Sequence, residues 1–140
     1  MSTWNASLAV GHTVIDEQHR KLFSHADDLI DAMLKGRGSA EMKPLFDFLR
    51  DYCRDHFATE EKLMAATRYL QSSTHGALHR EFERQFKELE EMMAEQGATS
   101  LVVLGAKDLI RGWLVAHIGT VDVKLAAHLR QPGVVPPPAR

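Results

Sequence analysis

The chain has 140 residues, the size of one domain with a substantial core. Its formal net charge of -2 gives no reason to expect nucleic acid as a partner, and no apolar run is long enough to span a bilayer. The N-terminus lacks the basic and apolar regions of a signal peptide, and the single cysteine, Cys53, has no partner for an internal disulfide. We therefore expect a protein of the reducing cytoplasm.

The first 15 residues carry apolar side chains without a sustained helical period, and we expect them to form an extended N-terminal arm that packs across the domain. Asp16 is a suitable N-cap for a first helix, and the sequence Gly36-Arg37-Gly38 is a typical helix end. Between them, buried-type residues recur at intervals of three and four: His19, Leu22, Phe23, Ala26, Leu29, Ile30, Met33 and Leu34.

Two further amphipathic helices follow. Ser39 is the expected cap of the second helix, and a polar turn over residues 69–74 precedes the third. The apolar stripe of the second helix contains Leu45, Leu49, Tyr52, Cys53, His56, Glu60, Leu63 and Met64. That of the third contains His75, Leu78, His79, Phe82, Phe86, Leu89 and Met93. A glutamate on an apolar stripe is costly to bury unless it is paired or bound to a metal ion.

The segment Gly97-Ala98-Thr99 ends the third helix and caps a fourth. The expected stripe of the fourth helix is Leu101, Leu104, Asp108, Leu109, Trp113, Leu114, His117, Val121, Leu125 and Leu129. Four amphipathic segments with short connections and no strand pattern predict an all-α protein, an up-down-up-down antiparallel four-helix bundle. We expect one domain over residues 1–130, including the arm at 1–15. Residues 131–140 form a Pro-rich C-terminal tail, expected to be disordered or to adopt polyproline II structure.

Every predicted helix places at least one metal-binding type of residue on its apolar side. These residues are His19, His56, Glu60, His75, His79, His117 and Asp122. Residues four apart lie on one helix face, so each pair on the second and third helices can serve one metal centre. Five imidazoles and two carboxylates exceed the needs of one tetrahedral zinc ion and suit two adjacent metal ions bridged by both carboxylates. As unrelated core histidines, each would need its own polar partner in an apolar interior.

The spacing between His117 and Asp122 is unusual for two ligands of one site. Five residues on an ideal α-helix rotate a side chain by about 140°. The intervening residues, Ile118-Gly119-Thr120-Val121, are weak helix formers, and π-bulges are frequent at functional sites. We therefore predict a local distortion of the fourth helix in this segment.

Taken in order, the seven residues resemble the ligand set of the hemerythrin family, in particular its bacterial single-domain branch, the bacteriohemerythrins. The resemblance extends from about Trp4 to Leu129 and includes the short sequences Ile15-Asp16-Glu17-Gln18-His19 and Trp113-Leu114-x-x-His117-Ile118. It implies a centre of two non-heme iron ions with an oxo or hydroxo bridge. In that pattern His75, His79 and His117 bind one iron, His19 and His56 bind the other, and Glu60 and Asp122 bridge the pair.

The resemblance also implies that dioxygen binds at an open position on the iron held by two imidazoles. An apolar pocket around it is implied to consist of Phe57, Trp113, Leu114 and Ile118. We therefore expect reversible dioxygen binding by a carrier, store or scavenger. We do not expect an enzyme, and nothing in the sequence requires more than a monomer. A histidine-rich ligand set suits reversible binding, whereas carboxylate-rich sets favour oxygen activation.

Three other functions are compatible with parts of the pattern. An oxygen or redox sensor would signal to a partner protein through the N-terminal arm. A di-iron enzyme would turn over peroxide or nitric oxide, although no additional acid or base is evident beside the open position. A structural zinc bundle is disfavoured by the number of ligands.

The remaining histidines and one glutamate are expected to have other roles. His12, His25 and His128 fall outside the ligand pattern, with His25 at the surface and His128 near a helix C-terminus, where a cation is favourable. Glu61 is expected either to face solvent or to support a metal ligand from behind.

Overall fold

The computed structural model describes residues 4–134, apart from the side chain of Ser39, and within this range it contains helices and no strand. Helix α1 spans Thr13–Leu34, α2 spans Ser39–Ala66 and α3 spans Ser72–Gln96. Helix α4 is continuous over residues 100–129 and consists of the segments Ser100–Ala106, Lys107–Trp113, Leu114–His117, Ile118–Asp122 and Val123–Leu129.

The four helices form the predicted bundle. Each helix packs against the next one in sequence, and α4 also packs against α1, so that the four enclose a common core. The short connections make sequence neighbours antiparallel. None of the described helices combines the length and the apolar character needed to cross a membrane. Of the expected tail at 131–140, residues 131–134 form a turn in which the Val134 amide donates to the Gln131 carbonyl at 3.2 Å, and the proline run at 136–138 lies outside the described residues.

Helix α1 begins earlier than the sequence suggested. His12 is its N-cap, and the Ile15 amide donates to the His12 Nδ1 atom at 3.3 Å. The expected cap, Asp16, lies inside the helix, where its carboxylate accepts from the backbone amides of Val10 and Gly11 at 2.7 and 3.2 Å. The prediction of Asp16 as the cap was wrong because these two amides, freed by the bend at Gly11, hold its carboxylate.

The segment before α1 is shorter than the predicted arm and is not extended throughout. It contains a 3₁₀ turn over Ala6–Leu8, whose cap Asn5 accepts from the Ser7 amide at 2.9 Å. Val10 is buried, and Trp4 and Leu8 pack partly buried against the core. The Arg130 guanidinium at the end of α4 donates to the carbonyl of Val10 at 2.6 Å, which attaches this segment to the bundle.

Two of the remaining helix starts differ from expectation and one agrees. Gly38, rather than Ser39, is the N-cap of α2, without a side-chain hydrogen bond. Helix α3 starts at Ser72, within the turn expected over 69–74. Thr99 caps α4 as predicted, and its hydroxyl accepts from the Val102 amide at 3.2 Å.

Helix α4 is distorted at the predicted place and at a second place. The segment Ile118–Asp122 is π-helical, which confirms the prediction, and Lys107–Trp113 is π-helical as well. The first three residues of the predicted stripe were wrong: Leu101 and Leu104 are 70% and 54% exposed, and Asp108 is also exposed. On α1, Leu34 is exposed too.

The π-helical segments explain which residues of α4 face the core. Buried side chains recur every four residues, at Val102, Ala106, Ile110, Leu114, Ile118, Asp122 and Ala126. On an ideal α-helix a spacing of four drifts by about 40° each time, so such a series would wind around the helix. The wider turns absorb this drift and keep the series, including Asp122, on the inner face.

Candidate metal centre

Seven polar side chains converge in the middle of the bundle, and none of them is more than 5% exposed. They come from all four helices and are the seven residues predicted as metal ligands: His19, His56, Glu60, His75, His79, His117 and Asp122. Each lies on the inner face of its helix next to apolar core residues. The structure thus brings together a set of side chains that are separated by up to about a hundred residues in sequence.

Three imidazoles surround one side of the two carboxylates. His75 Nε2 lies 3.2 Å from Glu60 Oε1 and 3.0 Å from Asp122 Oδ1. His79 Nε2 is 3.0 Å from the same glutamate oxygen, and His117 Nε2 is 3.1 Å from the same aspartate oxygen. We call this group the three-imidazole side.

The other two imidazoles surround the opposite oxygens of the same carboxylates. His19 Nε2 lies 2.9 Å from Asp122 Oδ2 and 3.8 Å from Glu60 Oε2. His56 Nε2 lies 3.2 Å from that glutamate oxygen. On this two-imidazole side, as on the other, each carboxylate contributes one oxygen. This division is the arrangement in which both carboxylates can bridge two metal ions.

The distances fit donor atoms placed around metal ions. Ligand atoms at neighbouring octahedral positions, about 2.1 Å from an ion, lie about 3.0 Å apart. Several of the atoms are buried without a hydrogen-bond partner among the described residues: Nε2 of His19, His75, His79 and His117, both Glu60 oxygens, and Asp122 Oδ1. Buried polar atoms rarely lack a partner. Their convergence therefore fits a site for cations, with ligand types that suit iron, zinc or manganese.

The electrostatics of the cluster also favour bound cations. Burial alone would raise the pKa of Glu60, but the neighbouring imidazoles of His56, His19 and His75 hold it well below its usual range. Burial lowers the pKa of His19, but contacts with Asp122 and Glu60 outweigh it and raise the pKa to about 9. The pKa of His75 is raised to about 9 for the same reasons. Two buried carboxylates thus hold positive charge nearby, either as protons or as metal ions.

Two imidazoles are fixed from behind by polar side chains of neighbouring helices. His56 Nδ1 lies 2.7 Å from Gln18 Oε1, and His79 Nδ1 lies 2.8 Å from Glu61 Oε2. Glu61 therefore supports a candidate ligand, one of the two roles expected for it. No sequence signal pointed to Gln18, because its contact crosses from α1 to α2 over 38 positions of separation.

Two of the predicted pocket residues stack on candidate ligands. The Phe57 ring lies parallel to the His79 imidazole, with centroids 3.9 Å apart, and the Trp113 ring lies parallel to His117 at 4.5 Å. Leu114 and Ile118 are each 2% exposed. Phe57, Leu114 and Ile118 are buried in the core, and Trp113 packs against it partly buried. The place of the four side chains around a dioxygen molecule stays a prediction.

The other three histidines have partners elsewhere. His12 caps α1, and His128 Nε2 lies 3.0 Å from the Thr67 hydroxyl. His25 packs beside Tyr52, with ring centroids 5.5 Å apart, and is half-buried rather than at the open surface as expected.

The fold and the cluster together define a four-helix protein with a histidine- and carboxylate-rich metal site. The family model described as the hemerythrin HHE cation binding domain matches residues 10–129. The chain therefore belongs to the hemerythrin family. Because the match covers residues 10–129, the expected domain limits of 1–130 stay a prediction.

Individual relatives agree with this assignment. The chain is 34% identical over 124 residues to a hemerythrin-like protein of Naegleria gruberi, covering 86% of this chain and 87% of the relative. It is 33% identical over 119 residues to a bacteriohemerythrin of Pseudomonas aeruginosa, covering 85% and 75% of the two chains. A myohemerythrin of Theromyzon tessulatum is 25% identical over 126 residues, with 90% and 92% covered.

Proposed function

We propose that this protein binds dioxygen reversibly at a pair of non-heme iron ions and acts as a carrier, store or scavenger rather than as an enzyme. The observation that carries the proposal is the division of the Glu60 and Asp122 oxygens between two groups of imidazoles. A site for a single ion would gather the carboxylate oxygens around one point. Here they point to two.

The ligand assignment follows the two groups. His75, His79 and His117 would hold one iron, and His19 and His56 would hold the other, while Glu60 and Asp122 would each offer one oxygen to either ion. With one imidazole fewer, the two-imidazole side has room for an additional ligand, and dioxygen is the ligand proposed. When bound, the iron pair supplies the electrons that pass to dioxygen and return when the gas leaves.

Apolar side chains enclose the metal cluster as a whole and limit the access of water and protons to it. Phe57 and Trp113 cover two imidazoles of the three-imidazole side, and Leu114 and Ile118 add buried apolar surface from α4. An apolar wall that excludes water slows autoxidation, in which bound dioxygen leaves in reduced form, because that reaction requires protons or water. The aromatic contacts also fix the orientation of the imidazoles they cover.

The charge of the site is compatible with its burial. Two ferrous ions carry four positive charges, and the two carboxylates neutralise two of them. A hydroxide bound with the ions would neutralise a third, which would leave about one net charge inside the bundle. The ligand set contains more imidazoles than carboxylates, unlike the di-iron sites built on Glu-x-x-His motifs.

The test is the optical spectrum of the iron-loaded, anaerobically reduced protein before and after exposure to air. The proposal predicts a visible charge-transfer band that appears with dioxygen and disappears when the gas is removed under argon. Immediate and irreversible oxidation without such a band would contradict it. In that case, peroxide and nitric oxide turnover would be measured with the same preparation.

A further inference from the structure

The two sides of the cluster differ in what holds their imidazoles from behind. On the two-imidazole side, His56 is held by the neutral amide of Gln18, whose Nε2 group donates to the Thr59 hydroxyl at 3.3 Å. On the three-imidazole side, His79 is held by the carboxylate of Glu61. An amide oxygen and a carboxylate oxygen thus occupy equivalent places around two different metal positions.

The Glu61 carboxylate is shared with a surface arginine. The same oxygen, Oε2, lies 2.8 Å from His79 Nδ1 and 2.6 Å from Arg80 Nη2. Arg80 is in turn 2.6 Å from Glu83 through its Nε atom. Glu61 is 33% exposed and Arg80 is 58% exposed, so this chain of contacts links a buried candidate ligand to the protein surface.

The difference between the two acceptors has an electronic consequence. A charged hydrogen-bond acceptor on the outer nitrogen, Nδ1, makes an imidazole a stronger electron-pair donor to its metal ion than a neutral acceptor does. A stronger donor stabilises the higher oxidation state of the ion. An arginine bound to the same carboxylate oxygen withdraws part of that negative charge and weakens the effect.

We propose that Glu61 and Arg80 are positioning residues that tune the three-imidazole metal position through His79, with Glu61 strengthening the imidazole as a donor and Arg80 limiting this effect. Gln18 leaves His56 a weaker donor, so the two metal positions are electronically unequal. The inequality favours oxidation first on the three-imidazole side. This inference rests on the proposed di-iron site.

Three variants test the proposal through the reduction potential, which one of them should raise and the other two should lower. Glu61→Gln makes both acceptors amides and should shift the reduction potential of the iron-loaded protein to more positive values. It should also lower the affinity of the stripped protein for zinc by about tenfold or more. Arg80→Met frees the Glu61 carboxylate and should shift the potential to more negative values. Gln18→Glu should also shift it to more negative values.

An exposed ion pair on α3, Glu81 with Arg84, supplies matched controls for Glu61 and Arg80. Glu81→Gln and Arg84→Met change the same residue types in an exposed ion pair that contacts no imidazole. Both should leave the potential and the zinc affinity at wild-type values. Opposite shifts for Glu61→Gln and Arg80→Met support the proposal, whereas shifts of the same sign, or none, overturn it.

A measurement on the unaltered protein covers the case in which a variant does not fold. In zinc-loaded, ¹⁵N-labelled protein, the Nδ1 proton of His79 should resonate further downfield than that of His56, because its acceptor is charged. A His79 proton no further downfield than that of His56 would overturn the proposal. A protein that folds but retains no metal ion would instead contradict the proposed di-iron function.

Discussion

Glu60 and Asp122 are the two buried carboxylates among residues 4–134, and each faces both groups of imidazoles. In each carboxylate, one oxygen faces the three-imidazole side and the other faces the two-imidazole side.

His117 is the proposed ligand whose loss should affect only one side of the cluster. Its Nε2 atom lies 3.1 Å from Asp122 Oδ1 and belongs to the three-imidazole side. His117→Ala should reduce the iron content from two ions towards one per chain, measured by metal analysis after gel filtration. The control is His128→Ala, in the same helix but bound to Thr67, which should retain both ions. Full iron content with wild-type affinity in the His117 variant would contradict the ligand assignment.

Leu114 is predicted to matter for both stability and the lifetime of bound gas. Leu114→Ala removes a buried side chain and should lower the free energy of unfolding by about 2–5 kcal/mol, measured with urea. It should also admit water and accelerate the decay of the charge-transfer band. Val115→Ala, which alters a side chain 37% exposed, should change neither quantity strongly. An unchanged decay rate in the Leu114 variant would place this residue away from the dioxygen position.

The seven candidate ligands could be predicted because helix periodicity relates sequence spacing to a common face. For Glu61, support of a ligand was one of two expected roles, but which imidazole it contacts, 18 positions away on another helix, could not be predicted. Gln18, whose contact is 38 positions away, was given no role. Such contacts depend on the rotation of one helix relative to another, which periodicity alone does not determine. Likewise, Asp16 is a good helix cap by residue type, but in the structure it binds two other amides.

Helix α4 shows the same limit at the level of an element. Its local distortion near Gly119 was predictable from the five-residue spacing between His117 and Asp122. The second π-helical segment, Lys107–Trp113, was not, and a stripe extrapolated with an ideal period therefore placed Leu101 and Leu104 in the core. The repeat of apolar residues every four positions was the signal that could have revealed wider turns.

The glycines give a direct test of the backbone at two places. A Cβ atom at Gly119, on the outside of the π-helical segment, would meet nothing within 4 Å. Gly119→Ala should therefore raise the free energy of unfolding by about 0.5–1 kcal/mol, with the iron content unchanged.

Gly11 is the opposite case because its φ is +89° and an added Cβ would lie 2.6 Å from Arg130 Nη1. Gly11→Ala should destabilise the protein by about 1 kcal/mol or more in the same urea titration. Equal effects of the two substitutions would show that the backbone at Gly11 or at Gly119 differs from the one described.

The molecule as a whole is a bundle whose centre holds two negative charges that require compensation. In protein stripped of metal by a chelator, protons on the imidazoles of His19 and His75 provide it. The pKa of each is raised from 6.5 to about 9 on folding, so the folded protein binds protons that the unfolded chain has released. This contribution to stability is fully present below pH 6.5 and is lost as the pH rises through about 9.

The stripped protein should consequently have a lower urea midpoint near pH 10 than near pH 6. Zinc-loaded protein should show a much smaller decrease over this range, because metal ions replace the protons. A midpoint of the stripped protein that stays constant or rises across this interval would contradict the raised pKa values of the two histidines.

The fold class was predictable at this scale, because four amphipathic segments with short connections have few ways to bury their apolar faces. The N-terminal segment was less so: it was expected to be extended over 15 residues, and its 3₁₀ turn and its hydrogen bond to Arg130 depend on the far end of the chain.

The most direct test of the central claim, that Glu60 and Asp122 bridge two metal ions, is anomalous diffraction at the iron edge from a crystal of the iron-loaded protein. Two anomalous peaks about 3.5–4 Å apart are expected, one beside His75, His79 and His117 and the other beside His19 and His56. A single peak, or peaks that do not lie between the two carboxylates, would contradict it.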